Sequence, residues 1–335
     1  MTDFQAREKP PRTEKSAGRE ISTKAPVVIV TGPTASGKSG LAMALAEELD
    51  GTIINADSMQ IYRDLRVVTA RPDEADEARV PHRLFGVLDA AERCSVGRWL
   101  DLAVAAIEET RKEGRLPIMV GGTGMYLKAL TEGLAPVPDV PEAVTEQASD
   151  LYDELGGEGF RDKLAALDPD AAKTLPPGDR QRLIRAFAVV TATGKTLSEW
   201  QSSAAAKLPV AARFVTILVM PERADIYEAC DRRFGAMLDA GAMDEVSAML
   251  ARGLDPALPA MRAVGVPELG AVMRGEMSLE QAGDKARQAT RNYAKRQITW
   301  SRHQLSPDLT LPGGGPAALA QVLDYLRDVQ VVRDG

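Results

Sequence analysis

Residues 32–39 read Gly32-Pro33-Thr34-Ala35-Ser36-Gly37-Lys38-Ser39, which has the G-x-x-x-x-G-K-[ST] spacing of a phosphate-binding loop. The apolar run Val27–Val30 precedes this loop, and the helix-like stretch Leu41–Leu49 follows it. A strand that ends in such a turn and continues as a helix exposes backbone N–H groups, which bind the oxygens of a di- or triphosphate. The pattern predicts that Lys38 reaches the terminal phosphates and that the Ser39 hydroxyl is a ligand of Mg²⁺. It does not identify the bond that is broken.

Strand and helix signals alternate through the first part of the chain, residues 25–135. Short apolar runs predict strands at Gly51–Asn55 and Pro117–Val120, and apolar residues at helical spacing predict a helix over Trp99–Arg111. This alternation predicts an α/β fold in which a parallel sheet is flanked by helices, as in P-loop NTPases. Ligands of such sheets bind at the carboxyl ends of the strands. We therefore expect the phosphate loop, residues 55–60 and residues 121–124 to converge.

A segment without a strand signal follows Pro136, Pro138 and Pro141. Helical spacing covers Glu142–Leu155, Gly159–Leu167, Asp179–Thr191 and Ser198–Gln201. The apolar run Arg213–Met220 predicts a return to the sheet. The chain is then helical from Ala224 to Ala294, with breaks predicted at Gly253–Pro259 and Gly265–Pro267, and a loop at Gly313–Pro316 leads to a final helix. We therefore divide the chain into a tail (1–24), a phosphate-loop core with C-terminal helices (25–136 and 209–335) and a helical insertion (137–208).

The bulk composition excludes several classes of protein. The chain has 335 residues, 44% of them hydrophobic, and a formal net charge of −7, which argues against a protein that is basic over its whole surface. Cys94 and Cys230 are far apart, so neither a disulfide framework nor a thiolate zinc site is expected. No run approaches the ~20 apolar residues of a membrane span, and residues 1–24 are charged and polar, as in a disordered tail. We expect a cytoplasmic monomer.

Two motifs after predicted strands carry polar groups into the expected cleft. Asp57 directly follows the strand that ends at Asn55, where a carboxylate could hold Mg²⁺, act as a general base or cap the following turn. The sequence Gly121-Gly122-Thr123-Gly124 follows a buried strand and places backbone amides and one hydroxyl there. A plain strand-to-helix turn is equally compatible with this second motif.

Basic residues concentrate in two segments of this acidic chain. Residues 285–302 contain six cations and no acid: Lys285, Arg287, Arg291, Lys295, Arg296 and Arg302. Several are spaced four apart and share one helical face, which indicates either contact with a phosphate backbone or a solvated face whose acidic partners lie elsewhere. A second cluster contains Arg180, Arg182 and Arg185. The pair Arg232-Arg233 could clamp a diphosphate, although such a pair is more often surface charge.

These motifs together resemble one family, the tRNA dimethylallyltransferases, also called tRNA isopentenyltransferases. The resemblance runs from about residue 26 to residue 303. It rests on the phosphate loop and on the segments Asn55–Arg63, Val120–Tyr126, Asp179–Ala186, Thr193–Trp200 and Lys295–Trp300. The phosphate loop alone is shared by many enzymes, whereas all these segments in this order are specific. No Cys/His finger follows the basic segment, which indicates a member of the bacterial type.

The resemblance implies transfer of a dimethylallyl group from its diphosphate to the N6 amine of the adenosine 3′ of the tRNA anticodon, with Mg²⁺ as the cofactor. By motif, Asp57 resembles the general base, Thr123 resembles a hydroxyl that orients the reacting groups, and Arg233 joins residues 32–39 around the diphosphate, with Ser39 at the metal. The residues that match tRNA-contacting stretches are Asp57, Ser58, Met59, Gln60, Thr123, Gln181, Arg182, Leu183, Ile184, Arg185, Arg262, Ala263, Val264, Gly265, Val266, Pro267, Lys295, Arg296, Gln297, Ile298, Thr299, Trp300, Ser301 and Arg302.

Three positions differ from the family pattern, and three other functions share part of the motif set. Val68 stands where relatives usually have Gly, Ala188 where Glu is common, and Val266 where Tyr is common. A small-molecule P-loop kinase would use the same loop and Asp57 but needs no insertion or basic segments. An isopentenyltransferase for free adenine nucleotides would share Asp57 and Thr123. A nucleotide-gated RNA-binding protein would bind ATP or GTP without turnover of an allylic donor.

Overall fold

Alternate residues of the first strand pack on opposite faces of the sheet, which explains its uninterrupted apolar sequence. Val27 and Ile29 belong to one buried cluster, and Val28 and Val30 belong to another. Parallel strands covered by helices on both faces have no solvent side and therefore no alternation of polar residues. This burial confirms the strand predicted directly before the phosphate loop.

The computed structural model describes residues 25–203 and 208–332. The strands of its sheet are β1 (Pro26–Thr31), β2 (Gly51–Asn55), β3 (His82–Arg83), β4 (Leu116–Gly121), β5 (Arg213–Val219) and β6 (Leu309–Leu311). They form one six-stranded sheet in the order β3-β2-β4-β1-β5-β6, and every neighbouring pair is parallel. The predicted α/β fold with a parallel sheet is confirmed. The two edge strands, β3 and β6, were not predicted.

The helices cover both faces of the sheet and the segments after it. They are α1 (Lys38–Glu48), α2 (Glu74–Arg79), α3 (Val96–Lys112), α4 (Gly124–Glu132), α5 (Glu142–Ala165), α6 (Pro169–Thr174), α7 (Arg180–Thr193), α8 (Leu197–Ser203), α9 (Arg223–Asp239), α10 (Ala242–Ala251), α11 (Val266–Met273), α12 (Leu279–Gln304) and α13 (Leu319–Asp328). Short 3-10 turns lie at Ala260–Arg262 and Pro316–Ala318. Within the described residues, no helix is both long and apolar enough to cross a membrane.

The insertion has a small hydrophobic cluster of its own. Phe160 and Leu164 of α5 pack with Leu183 and Ile184 of α7, and the described residues from 142 to 203 form helices and no strand. The two helices predicted at its start are one interrupted element, because α5 is kinked at Gly156, where φ is 68°. The division into tail, core and insertion stays a prediction, and the tail lies outside the described residues.

The break predicted at Gly265–Pro267 is present but ends earlier than expected. Gly265, with φ 103°, lies outside the helix as the N-cap of α11, whereas Val266 and Pro267 already belong to its first turn. Proline is tolerated there because the first N–H groups of a helix have no intrahelical partner. Glu268 completes the helix start, since its carboxylate accepts a hydrogen bond from the N–H of Gly265 at 2.9 Å.

Candidate active site

The carboxyl ends of β1, β2 and β4 meet, as the sequence predicts. The hydroxyl of Thr31 donates to the carbonyl oxygen of Gly121 at 2.9 Å. The N–H of Ala56 donates to the carbonyl oxygen of Val120 at 2.7 Å, and the N–H of Thr123 donates to the carbonyl oxygen of Ala56 at 3.2 Å. These bonds hold the phosphate loop, the segment around Asp57 and the glycine motif in one cleft.

The phosphate loop has the backbone shape of an anion site. Gly37 caps α1 in the left-handed region with φ 85°, a conformation that glycine adopts without strain. The hydroxyl oxygen of Ser36 is buried and has no hydrogen-bond partner among the described residues. A buried polar atom without a partner is costly, so a bound ligand atom at this position would satisfy it. The Ser36 hydroxyl and the N-terminus of α1 therefore fit a phosphate group.

Lys38 lies half-buried in this loop with its ammonium group held inward. Its Nζ donates to the carbonyl oxygen of Pro33 at 3.2 Å. Burial lowers the pKa of Lys38 to about 8, and the negative charge of Asp57 opposes that shift. Removing water weakens the hydration of the ammonium ion, so an anion placed beside it gains more than it would in bulk water.

Asp57 adopts a turn that fixes its carboxylate. Its Oδ1 accepts a hydrogen bond from the N–H of Met59 at 2.9 Å, so the turn-capping role considered from the sequence is present. Asn55 supports the same turn, because its Oδ1 accepts from the N–H of Asp57 at 2.8 Å and its Nδ2 donates to the Asp57 carbonyl at 3.0 Å. This capping does not exclude chemistry, since the carboxylate also lines the cavity of the site.

Thr123 belongs to a hydroxyl network beside Asp57. Its Oγ1 accepts from the N–H of Ser58 at 3.0 Å and donates to the Ser58 hydroxyl at 3.3 Å. Tyr293 of α12 lines the same cavity as Asp57 and Ser58. Burial and the nearby charge of Asp57 raise the pKa of Tyr293, which therefore keeps its proton. The predicted meeting of Asp57 and Thr123 is present, and Tyr293 joins them.

Arg233 reaches into the site, whereas Arg232 does not. Its Nη1 donates to the Thr34 hydroxyl at 2.9 Å and its Nη2 to the Thr69 carbonyl at 3.2 Å. Burial lowers the pKa of Arg233, and the charge of Asp57 opposes this. Arg232 is 72% exposed and pairs with Glu228 at 3.2 Å. Of these two arginines, only Arg233 is therefore placed to bind a ligand in the cleft.

These groups surround a cavity of about 260 Å³. Its polar lining includes Thr34, Asp57, Ser58, Arg233 and Tyr293. Its apolar lining consists of Met59, Val68, Cys230, Phe234, Met237, Ala242, Ala263, Val264 and Leu269. A pocket with a charged end and an apolar body suits a ligand that has an anionic group and a short hydrocarbon group.

Comparison with known proteins gives a consistent assignment. The family model described as IPP transferase matches residues 60–304, which is more than half of the chain. The chain belongs to the IPP transferase family. A second model, described as isopentenyl transferase, matches residues 25–89. This confirms the resemblance found from the sequence motifs.

Similar relatives of this IPP transferase include two from one bacterial genus. The tRNA dimethylallyltransferase of Rhodospirillum centenum is 54% identical over 281 residues, which cover 84% of this chain and 90% of the relative. That of Rhodospirillum rubrum is 53% identical over 287 residues, which cover 86% of this chain and 88% of the relative.

Solved structures with the same fold include a bacterial and a eukaryotic enzyme. The tRNA isopentenylpyrophosphate transferase of Bacillus halodurans superposes with a TM-score of 0.66 at 30% identity and covers 91% of this chain and 97% of its own. A eukaryotic dimethylallyltransferase, solved acting on tRNA, has a TM-score of 0.71 at 26% identity and covers 83% of this chain and 70% of its own. The predicted P-loop NTPase-like architecture is confirmed by these neighbours.

The residues predicted to contact tRNA differ in their exposure. The exposed ones are Gln181, Arg182, Arg185, Arg262, Pro267, Lys295, Arg296, Thr299 and Arg302. The half-buried ones are Asp57, Ser58, Met59, Gln60, Thr123, Val264 and Trp300. The buried ones are Leu183, Ile184, Ala263, Gly265, Val266, Gln297, Ile298 and Ser301. Contact with tRNA stays a prediction for all of them, and the exposed cations are the side chains that a macromolecule reaches directly.

Gln297 has a structural role that the tRNA prediction did not include. Its Oε1 accepts from the N–H of Thr34 at 2.7 Å, and its Nε2 donates to the carbonyl oxygen of Gly122 at 2.9 Å. The side chain therefore joins the phosphate loop to the glycine motif after β4. Gln297 is 263 positions from Thr34 in the sequence, and no local pattern indicates such a contact.

Several arginines of the two basic segments have acidic partners. Arg291 of α12 pairs with Asp231 of α9 at 2.6 Å, and Arg287 pairs with Asp284 at 2.7 Å. In the insertion, Arg180 pairs with Asp153 at 2.7 Å and Arg182 pairs with Asp179. The alternative of a helix face with acidic partners from elsewhere therefore holds for Arg291, and the positive surface is smaller than the sequence indicates.

Proposed function

We propose that this chain transfers a dimethylallyl group from dimethylallyl diphosphate to the N6 amine of the adenosine 3′ of the tRNA anticodon and releases diphosphate. The observation that carries the proposal is the single cavity in which the phosphate-loop residue Thr34, the carboxylate of Asp57, the buried Arg233 and an apolar wall meet. Membership of the IPP transferase family supports the reaction class, and relatives named tRNA dimethylallyltransferase support tRNA as the acceptor.

The polar end of the cavity suits the leaving group. When the allylic C–O bond breaks, both bonding electrons go to a diphosphate oxygen, and the negative charge there grows. Lys38, Arg233 and the N-terminal amides of α1 are arranged to stabilise this charge. Donors held in place before the reaction stabilise a developing charge without reorganising, which is often the largest single contribution to catalysis.

Mg²⁺ fits the same end of the site through few protein ligands. Ser39 is exposed in the first turn of α1. Among the described residues, no group of three or more His, Cys, Asp or Glu side chains could hold a metal ion. Mg²⁺ commonly keeps several waters and binds substrate phosphates with one or two protein oxygens, so Ser39 would be its protein ligand. When bound, the ion would neutralise charge on the leaving diphosphate.

Asp57 is placed to accept the proton that the amine loses. As the bond between N6 and the allylic carbon forms, the N6 proton must leave, and a carboxylate within hydrogen-bond reach can take it. The N–H of Met59 holds Oδ1 of Asp57, which orients Oδ2 as the proton acceptor. The hydroxyl network of Thr123 and Ser58, together with Tyr293 on the cavity wall, would orient the acceptor base beside this carboxylate.

The acceptor adenine must leave its stack to enter the cavity, at a cost of a few kcal/mol. Contacts to the flanking phosphates can offset this cost. Arg262 and Arg296 line the cavity and are exposed, and Lys295 and Arg302 are exposed on the same helix as Arg296. These four cations are the candidates for holding the RNA backbone while the base is inserted.

A transfer assay tests the proposal. The chain is incubated with radiolabelled dimethylallyl diphosphate, Mg²⁺ and one of three acceptors: unmodified tRNA, the same tRNA with guanosine in place of the target adenosine, and AMP. We expect label only in the first acceptor. Label in AMP alone would assign the reaction to free nucleotides. Label in the guanosine tRNA would refute the proposed target, and label in none of the three would refute the reaction.

A further inference from the structure

Glu245 of α10 binds three consecutive backbone N–H groups of a segment that is distant in sequence. Its Oε2 accepts from the N–H of Arg66 and of Val67, each at 2.7 Å, and its Oε1 accepts from the N–H of Val68 at 2.9 Å. Hydrogen bonds to an ionised carboxylate are about twice as strong as bonds between neutral groups. Glu245 therefore anchors residues 66–68 to α10.

The anchored segment leads directly into the wall of the cavity. Val68 and Thr69 line the cavity, and the carbonyl oxygen of Thr69 accepts from Nη2 of Arg233 at 3.2 Å. The same carbonyl accepts from Nε2 of Gln60 at 2.9 Å. Thr69 is thus the point at which the anchored segment touches the arginine of the site.

Arg233 depends on few partners for its orientation. Its guanidinium donates to the Thr34 hydroxyl and the Thr69 carbonyl, and its Nε is buried without a partner among the described residues. An arginine binds an anion through a planar fork, so a rotation of the guanidinium changes the fit as much as a displacement does. If the Thr69 carbonyl moves, one of the two acceptors that hold the fork moves with it.

We propose that Glu245 is a positioning residue for the diphosphate. By fixing residues 66–68, it holds the Thr69 carbonyl in place and thereby keeps Arg233 directed at the anion. Glu245 is absent from the lining of the cavity and acts through the backbone of the anchored segment. The inference rests on the proposed function, because it takes Arg233 as a ligand of the leaving diphosphate.

The test is binding of inorganic pyrophosphate to the Glu245→Gln variant, measured by calorimetry without tRNA or allylic donor. The glutamine NH₂ replaces one accepting oxygen, and it faces a backbone N–H from which it cannot accept a hydrogen bond. Asp244→Asn is the matched control, because Asp244 is exposed and lies beside Glu245 in the first turn of α10. Both variants lose one charge near the same helix N-terminus. We expect about tenfold weaker pyrophosphate binding for Glu245→Gln, the size of one lost hydrogen bond, and no change for Asp244→Asn.

A double-mutant cycle separates positioning from a general loss of stability. In an Arg233→Met background, Glu245→Gln should cause no further loss of pyrophosphate affinity, because the residue on which it acts is gone. Affinity for tRNA should be unchanged in every variant. If Glu245→Gln does not fold, Glu245→Asp keeps the charge with a shorter reach and carries the same comparison, with a smaller loss expected.

The outcomes distinguish this inference from the proposed function. Affinity of Glu245→Gln within twofold of the wild type, or an equal loss in the Arg233→Met background, would overturn the positioning role alone. A wild-type chain that binds no pyrophosphate would overturn the proposed function and this inference together.

Discussion

The phosphate loop is supported from behind by a glycine segment that lies beyond the matched family region. The N–H of Gly315 donates to the carbonyl oxygen of Gly37 at 2.9 Å. A Cβ atom added at Gly314 would lie 2.6 Å from the carbonyl carbon of Gly37, 2.7 Å from its oxygen and 2.8 Å from the carbonyl oxygen of Ser36. All three atoms are backbone, so Gly314→Ala cannot be accommodated by rotating a side chain.

The size of the effect follows from this contact. Ordinary contacts of a Cβ begin at 3.4 Å, so the 2.6 Å contact requires the two backbones to separate by 0.8 Å. Overpacking of this kind costs roughly 1–3 kcal/mol. If the displacement occurs in the phosphate loop, pyrophosphate affinity should fall by between about fivefold and a hundredfold. If the glycine segment moves instead, the melting temperature should fall and the affinity should be retained.

Gly313→Ala provides a matched control for this variant. A Cβ atom at Gly313 would meet no atom within 4 Å, although the residue is the immediate neighbour of Gly314. Calorimetry with pyrophosphate and thermal unfolding should be measured for both variants. We expect Gly313→Ala to match the wild type in both measurements. Wild-type affinity together with a wild-type melting temperature for Gly314→Ala would refute the packing argument.

Three further predictions concern the base, the basic helix and the lysine of the site. Asp57→Asn should keep tRNA affinity in filter binding and lower single-turnover transfer by on the order of 10²-fold or more, because an amide cannot accept the proton; near-normal turnover would exclude Asp57 as the base. Replacing Lys295 and Arg296 by glutamine should reduce the salt dependence of tRNA binding by about two phosphate contacts. Arg291→Gln breaks the pair with Asp231 and should mainly lower the melting temperature. If the salt dependence of the Lys295/Arg296 variant equals that of the wild type, these two cations lie outside the interface. Because the pKa of Lys38 is about 8, pyrophosphate affinity of the free chain should fall as pH rises through 8, by about tenfold per unit above it, and Lys38→Arg should remove this dependence. Folding stability should change in the opposite direction. Between about pH 8 and 10.5, Lys38 is protonated in the unfolded chain but largely neutral in the folded chain. The free energy of unfolding, measured by urea titration, should therefore rise with pH over that interval.

The central strands were predictable from the sequence because each is buried on both faces. Val27–Val30 and Pro117–Val120 are apolar runs that end in glycine motifs, and a parallel sheet is the fold in which such runs are common. The edge strands β3 and β6 contain two and three residues, which is too short for a pattern to be recognised. Local sequence patterns therefore predict the central strands of this sheet, whereas the edge strands form through hydrogen bonds to the neighbouring strands.

The parts of the site that lie within one motif were also predictable, whereas the bonds between motifs were not. Asp57 and Thr123 each follow a strand, so sheet topology brings them together. The bonds from Arg233 to Thr34 and from Glu245 to Val68 cross 199 and 177 positions of sequence. A glutamate in a helix gives no signal that it will cap a distant loop.

The positive charge that α12 presents to solvent also depends on contacts that the sequence does not reveal. Residues 285–302 contain no acid, although the first turns of α12 contain Glu280 and Asp284, and Asp284 pairs with Arg287. The partner of Arg291 is Asp231 of α9, which packs against α12 and lies far from it in the sequence. Pairing between helices decides which cations stay available, and only the exposed, unpaired ones remain candidates for RNA contact.

The helix α12 connects the two ends of the reaction site, and this connection bears on catalysis. Gln297 is hydrogen-bonded to Thr34 of the phosphate loop and to Gly122, and Tyr293, one helical turn earlier, lines the cavity together with Asp57. Residues four apart lie on the same face of a helix at a fixed separation. The sites proposed for the leaving group and for the base are therefore both in contact with one helix, α12, and not only with loops. Holding reactants in the correct geometry can supply about 7–11 kcal/mol of a barrier. In the proposed reaction, Gln297 and Tyr293 would therefore contribute through orientation, although neither would take part in the bond changes.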